Sequence, residues 1–150
     1  MFNKILFVCV GNICRSPMAE YWAKDQLQKA GIENVQISSA GLRAMVGVPA
    51  VEETAQIMSR FDIDVALHRA QQITKANLIA SDIIFVMESW QIKESLFVFP
   101  GAHGKIFTLG KWCDEEIRDP YRQGLEAFEL TFESIKENWA LWQNQLWQNG

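Results

Sequence analysis

Cys9, Arg15 and Asp119 are the residues of this chain whose types and settings suit nucleophilic chemistry on an oxyanion. The stretch Cys9-Val10-Gly11-Asn12-Ile13-Cys14-Arg15-Ser16-Pro17 sets an arginine six residues after a cysteine and a serine directly behind it. A short loop between a strand and a helix can turn successive backbone N–H groups inward as an anion nest, and the helix N-terminus adds positive potential. Gly11 and Asn12 are types that tolerate the left-handed backbone such a turn needs. Arg15 supplies a planar fork for two oxygens of one anion. The same field favours a thiolate at Cys9, the form of cysteine that attacks. Ser16 is placed to donate a hydrogen bond to that sulfur. Val10, Gly11, Asn12, Ile13, Cys14, Arg15 and Ser16 are therefore the expected anion-binding segment. A free cysteine ending a buried strand is more often a small core residue; the strand–loop–helix context is what raises this pattern above that.

A thiolate that attacks phosphorus needs an acid for the departing oxygen. Asp119, in Asp119-Pro120-Tyr121, is the expected donor. Pro120 restrains the loop, and Tyr121 can stack on an aromatic leaving group. Taken alone, Asp-Pro ahead of a helix is an ordinary turn.

The elements that must hold these residues follow from apolar periodicity. Ile5 to Val8 is a continuous apolar run, as in a strand buried on both faces. Ser16-Pro17 reads as an N-cap followed by proline at the first helical position. Helical spacing then runs from Met18 to Ala30, and Gly31 stops it. Val35–Ser38 is the expected second strand, ending at a loop Ser39-Ala40-Gly41. A helix over about Val51–Arg60 follows, then strands at 83–87 and 105–109. Phe128, Phe132, Ile135, Trp139, Trp142 and Leu146 predict a long amphipathic C-terminal helix, with Trp139, Trp142 and Trp147 in its core and on its surface. Strands separated by helices imply an α/β fold: a four-stranded parallel sheet, expected in the order 2-1-3-4, with helices on both faces. Ligands of such sheets lie beyond the carboxyl ends of the strands, which places the phosphate-binding loop after strand 1.

Composition narrows the classes. The 150 residues suit one domain spanning 1–150, and 49% hydrophobic content is that of a folded chain. A net charge of −4, from 14 basic and 18 acidic residues, argues against a nucleic-acid partner. No apolar stretch is long enough for membrane insertion and no leader pattern opens the chain, so a cytoplasmic protein is expected. Three cysteines and two histidines give neither a disulfide framework nor a zinc spacing, and no metal or cofactor is expected.

Both motifs together resemble the low-molecular-weight protein tyrosine phosphatases, which carry the cysteine-to-arginine loop near the N-terminus and Asp-Pro-Tyr near the C-terminus. Ser39-Ala40-Gly41, His68, Gln72-Ile73-Thr74, Ile83-Ile84 and Met87-Glu88 extend the resemblance over nearly the whole chain. The resemblance implies a protein-tyrosine phosphatase that works through a phosphocysteine, without a cofactor, with phosphate and vanadate as ligands. It makes Cys9 the nucleophile, Arg15 the phosphate-binding arginine, and Asp119 the general acid and then the general base. Asn12, Ser16, Ser39 and His68 match the network that supports the loop, and Cys14 matches a cysteine that can pair reversibly with Cys9 on oxidation.

The chain also departs from the animal members. Arg122 stands where they have a second tyrosine, and Gln71 where they have an arginine. The loop after Gly41 holds Met45, expected to wall the pocket, where they place a tryptophan. These features are more similar to the bacterial enzymes that act on membrane tyrosine autokinases of capsule and exopolysaccharide export, which would make such a phosphotyrosine protein the partner. Arsenate reductase on the same fold is a rival, but its disulfide relay needs resolving cysteines, and Cys113 stands alone. A non-catalytic anion-binding module is another, though it would need neither Cys9 nor Asp119.

Overall fold

The computed structural model describes residues 2–147; Met1 and residues 148–150 of the expected domain lie outside the described residues. The sheet is built on β1 (Lys4–Cys9), whose Leu6, Phe7 and Val8 are fully buried. Alternation along β1 feeds two separate cores: Ile5, Phe7 and Cys9 face one, and Leu6 and Val8 the other. A strand buried on both faces must be central, and β1 is. It pairs in parallel with β2 (Gln36–Gly41) on one side and β3 (Ile83–Val86) on the other, while β4 (Ile106–Thr108) adds to β3. The order β2-β1-β3-β4 is the one the sequence predicts.

One face carries α1 (Arg15–Lys29), α2 (Glu52–Ser59) and α5 (Leu125–Trp147). Trp139 of α5 packs edge-on against Phe7 at 5.7 Å and Phe85 at 6.1 Å. Trp142 lies tilted against Phe85 at 4.7 Å and donates its indole N–H to Leu109 O at 2.9 Å, so the aromatic stripe of α5 is core. The other face carries α3 (Lys75–Ala80) and α4 (Trp90–Val98), with Leu78, Ile92 and Leu96 against the second core. Because β2 and β3 flank β1 on opposite sides, the chain order reverses at β1, and a crevice opens at its carboxyl end.

Several boundaries differ from expectation. The helix α1 begins at Arg15, with Cys14 at its N-cap and no side-chain cap. Ser16 is inside the helix, since its hydroxyl is committed to Cys9 and Asn12. Pro17 is tolerated there because first-turn amides have no acceptor within the helix. Residues Ser39–Gly41 continue β2 rather than leaving the sheet, paired with Phe7, Val8 and Cys9. Helices α3 and α4 escape periodicity, α3 because it has six residues and α4 because it buries the polar Gln91 and Ser95. Thr74 and Asn77 form a reciprocal capping box on α3, a signal the sequence does carry.

Candidate active site

The loop after β1 is shaped by where its carbonyls go. Cys9 O accepts from Leu42 N (2.9 Å), Val10 O from Arg43 N (3.0 Å) and Gly11 O from Met45 N (3.0 Å). Asn12 O accepts from His68, Ile13 O from Val51 N (3.0 Å), and Cys14 O from Met18 N (3.3 Å) and Thr54 Oγ1 (3.4 Å). Every carbonyl from Cys9 to Cys14 is thus tied outward. The N–H groups of Gly11, Asn12, Ile13 and Cys14 donate to no acceptor among the described residues. Successive unspent amides at a helix N-terminus are an anion nest. Asn12 makes the left-handed turn at φ 61°, whereas Gly11 is not at positive φ. Gly11 is thus not needed for backbone freedom. Gly41 is needed for space, since a Cβ there would lie 2.5 Å from Val10 O.

A buried hydrogen-bond chain stands behind the loop. Asn12 Oδ1 accepts from Gln71 N at 2.9 Å, which fixes the amide so that Nδ2 donates to Ser16 Oγ (2.7 Å) and Ser39 Oγ (2.9 Å). With its oxygen accepting from Asn12, the Ser16 hydroxyl has its proton free for Cys9 Sγ, 2.9 Å away. Ser39 likewise donates its O–H to Glu20 Oε1 at 2.5 Å, and Lys24 holds the other Glu20 oxygen at 2.6 Å. His68 Nε2 must be the donor to Asn12 O (2.7 Å), because a carbonyl only accepts. Gln71, in place of an arginine, uses its side chain to donate to Ser39 O at 2.9 Å.

Arg15 is built into the protein, with 2% exposure, while the Asp119 side chain is 48% exposed. Its Nη1 donates to Glu88 Oε1 (2.8 Å) and Ile117 O (2.8 Å), and Nη2 lies 3.8 Å from Asp119 Oδ2. Nε and Nη2 make no hydrogen bond among the described residues, so one edge of the guanidinium is held and the other is unspent. The cavity here, about 160 Å³, is lined by Cys9, Cys14, Arg15, Met45, Asp119 and Tyr121, with Val10, Gly11, Ile13 and Arg43 completing it. Tyr121 N donates to Asp119 Oδ1 at 3.1 Å, closing the Asp-Pro-Tyr turn. Burial pushes the Cys14 thiol well above its ordinary pKa, with Cys9 and Asp119 adding to the shift. A neutral, hydrophobic Cys14 therefore sits beside the reactive group. Cys113 lies outside this cavity, closing a 3₁₀ turn after β4.

Residues 4–150 match the model of the low molecular weight phosphotyrosine protein phosphatases. The chain belongs to this family. It is 40% identical over 141 residues to the low molecular weight protein-tyrosine-phosphatase Ptp of Acinetobacter johnsonii, covering 94% of this chain and 96% of that one. It is 38% identical over 147 residues to the phosphatase Wzb of Salmonella typhimurium, covering 97% and 95%. Among solved structures, Vibrio vulnificus Wzb in complex with benzylphosphonate superposes with a TM-score of 0.91 at 36% identity, covering 97% of this phosphatase and all of that chain.

The structure brings the expected site residues together: Cys9, Arg15, Asp119, Tyr121 and Met45 line the cavity, and Asn12, Ser16, Ser39 and His68 form the chain behind it, whereas Cys113 and Arg122 do not line it. The sequence gives no role to Glu20, which holds Ser39, or to Arg43, which lines the cavity; it offers Glu88 only as part of the family resemblance and Gln71 only as a departure from the animal members. Glu20 had a signal, a carboxylate among Met18, Ala19, Trp22 and Ala23 on the helix face that is buried.

Proposed function

We propose that this phosphatase hydrolyses phosphotyrosine in proteins through a covalent phosphocysteine on Cys9. The observation that carries it is one cavity that unites Cys9, the unspent edge of Arg15, the unspent loop amides and the exposed Asp119 carboxyl. The phosphoryl oxygens sit on the amides and on Arg15 Nε and Nη2. Cys9 Sγ attacks phosphorus as the bond to the tyrosyl oxygen breaks, and Asp119 gives its proton to that oxygen. Water then attacks the phosphocysteine, Asp119 takes its proton, and the P–S bond breaks to return the thiolate and inorganic phosphate. Ser16 stabilises that sulfur as a leaving group. Donors fixed before reaction need no reorganisation as charge develops, which is the main service of the outward-tied loop.

Tyr121 and Met45 wall the cavity and suit an aromatic ring on the phosphate. The departures at Gln71, Met45 and Arg122, and the similarity to Wzb, support a phosphotyrosine partner of the membrane autokinase class in polysaccharide export, met in the cytoplasm. Among the described residues no helix is long and apolar enough to cross a membrane.

The test uses phosphotyrosyl peptides and Asp119→Asn. The native enzyme should cleave phosphotyrosine and leave phosphoserine nearly untouched. Asp119→Asn should slow the poor tyrosyl leaving group by about 10²–10⁴-fold, and activated aryl esters much less in their first step. Equal loss across leaving groups would reduce Asp119 to a turn residue.

A further inference from the structure

Glu116 lies three residues before the acid, on the exposed side of its loop, and no step of the reaction uses it. Its carboxylate accepts from Ser89 N with both oxygens (3.1 Å each) and from Ser89 Oγ (2.8 Å). Ser89 is the N-cap of α4 and has no side-chain cap of its own, so Glu116 supplies the anion that this helix end favours.

The loop leading to Asp119 is strung between two supports. Toward α5, Asn138 Nδ2 donates to Glu115 Oε1 (2.6 Å) and Thr131 Oγ1 to Arg118 O (3.1 Å). Toward the turn between β3 and α4, Ile117 N donates to Met87 O (2.9 Å) and Glu116 clasps Ser89. Between Met87 and Ser89 stands Glu88, whose carboxylate holds Arg15 Nη1 and accepts from the Trp90 indole. Three consecutive residues therefore anchor both the phosphate-binding arginine and the acid loop. Asp119 Oδ2 lies 3.8 Å from Arg15 Nη2 in this arrangement.

We propose that Glu116 is a positioning residue for Asp119: by clasping Ser89 it references the general acid to the same turn that fixes Arg15, so that the proton is delivered where the phosphoryl group is held. This rests on Asp119 being the acid. Without the clasp the loop would still hang from α5 and from Ile117, whose N–H donates to Met87 O and whose carbonyl accepts from Arg15 Nη1. It would still fold, but its exposed stretch would be held at Ile117 alone on this side, and the Asp119 carboxyl would be less closely fixed relative to Arg15. Misplacement of about 1 Å by a remote change costs about 10²-fold where geometry is limiting.

The experiment compares single-turnover phosphorylation of Cys9 by phosphotyrosyl peptide and by 2,4-dinitrophenyl phosphate. Measurements cover the native enzyme, Glu116→Ala, Glu116→Gln, Asp119→Asn and the double variant Glu116→Ala/Asp119→Asn. Glu116→Ala should lose about 10- to 100-fold on the tyrosyl ester and under about 3-fold on the activated one. Inorganic phosphate should bind as before. Glu116→Gln, which keeps an acceptor oxygen for Ser89, should recover part of the loss. The double variant should be no slower on tyrosine than Asp119→Asn alone, because an acid already removed cannot be misplaced. Should Glu116→Ala fail to fold, Ser89→Ala, which deletes one of the three bonds, should still give a loss of a few-fold confined to the tyrosyl ester. Equal losses on both esters, or losses that multiply in the double variant, would overturn the proposal while leaving Asp119 as the acid. An Asp119→Asn enzyme indifferent to leaving group would instead remove the acid assignment, and this inference with it.

Discussion

Replacing Asn12 by alanine tests how the anion loop is held. Asn12 is fully buried, sits at φ 61°, and its amide makes hydrogen bonds to Ser16, Ser39 and Gln71. Each such bond contributes about 0.5–1.5 kcal/mol net, and alanine in the left-handed region adds about 1–2 kcal/mol. Two of the three partners are not stranded, because Ser16 keeps Cys9 and Ser39 keeps Glu20. Only the Gln71 N–H loses its acceptor outright. A loss near the low end, about 3 kcal/mol, is therefore expected for Asn12→Ala in equilibrium urea unfolding. Asn12→Gly loses the same bonds without the left-handed penalty, offset by the roughly 0.4–1 kcal/mol that glycine's freedom gives the unfolded chain. It should be the milder variant by about 1 kcal/mol. Both should lose phosphate affinity, since the loop is then no longer tied through the residue 12 side chain to Gln71, Ser16 and Ser39. A glycine variant less stable than alanine, or an alanine loss under about 1 kcal/mol, would refute the reasoning that Asn12 holds the loop through its left-handed turn and these hydrogen bonds.

Cys9→Ser should abolish turnover while retaining fold and phosphate binding, because a serine hydroxyl does not ionise near neutrality; substantial remaining activity measured on phosphotyrosine would contradict the thiolate mechanism. In the proposed mechanism Arg15 and backbone amides meet the phosphate charge, so activity should survive EDTA and fall with vanadate or thiol alkylation; an EDTA loss restored by a divalent ion would count against it. Cys14 gives a pH signature. Its folded-state pKa is raised above the ordinary 9.0, so the unfolded chain releases this proton first. Its contribution to stability is fully present below about pH 9 and is lost as pH rises beyond it. Urea midpoints should drop more steeply above pH 9 for the native protein than for Cys14→Ala; parallel curves would show that Cys14 does not stay protonated.

The sheet order and the cavity were legible because the signals are local and mutually consistent. Ile5 to Val8 can only be a central strand, and Cys9 to Arg15 can only follow it. Asp119 and Cys9, far apart in sequence, were joined by family resemblance and by the chemical need for an acid. What escaped were contacts set by tertiary closure. Ser16 looks like a helix cap in sequence, yet its hydroxyl is taken by Cys9 and Asn12. Ser39-Ala40-Gly41 looks like a loop, yet Gln71, Gln72 and Ile73 pair along Gly41 and keep it extended. Glu88 enters the sequence reading only as part of the family resemblance and Glu116 carries no periodic signal; only the fold brings one to Arg15 and the other to Ser89. Side chains that act across the end of a sheet leave no periodic trace.

The covalent step is tested most directly by acid-quenching the enzyme within milliseconds of mixing with phosphotyrosyl peptide and locating the phosphoryl group by mass spectrometry. One phosphoryl group should appear on the peptide containing Cys9 and decay as inorganic phosphate is released. It should accumulate in Asp119→Asn when an activated ester loads it, since the base for the second step is gone. Phosphate release with no adduct at Cys9, or an adduct on another residue that turns over at the catalytic rate, would contradict the phosphocysteine mechanism.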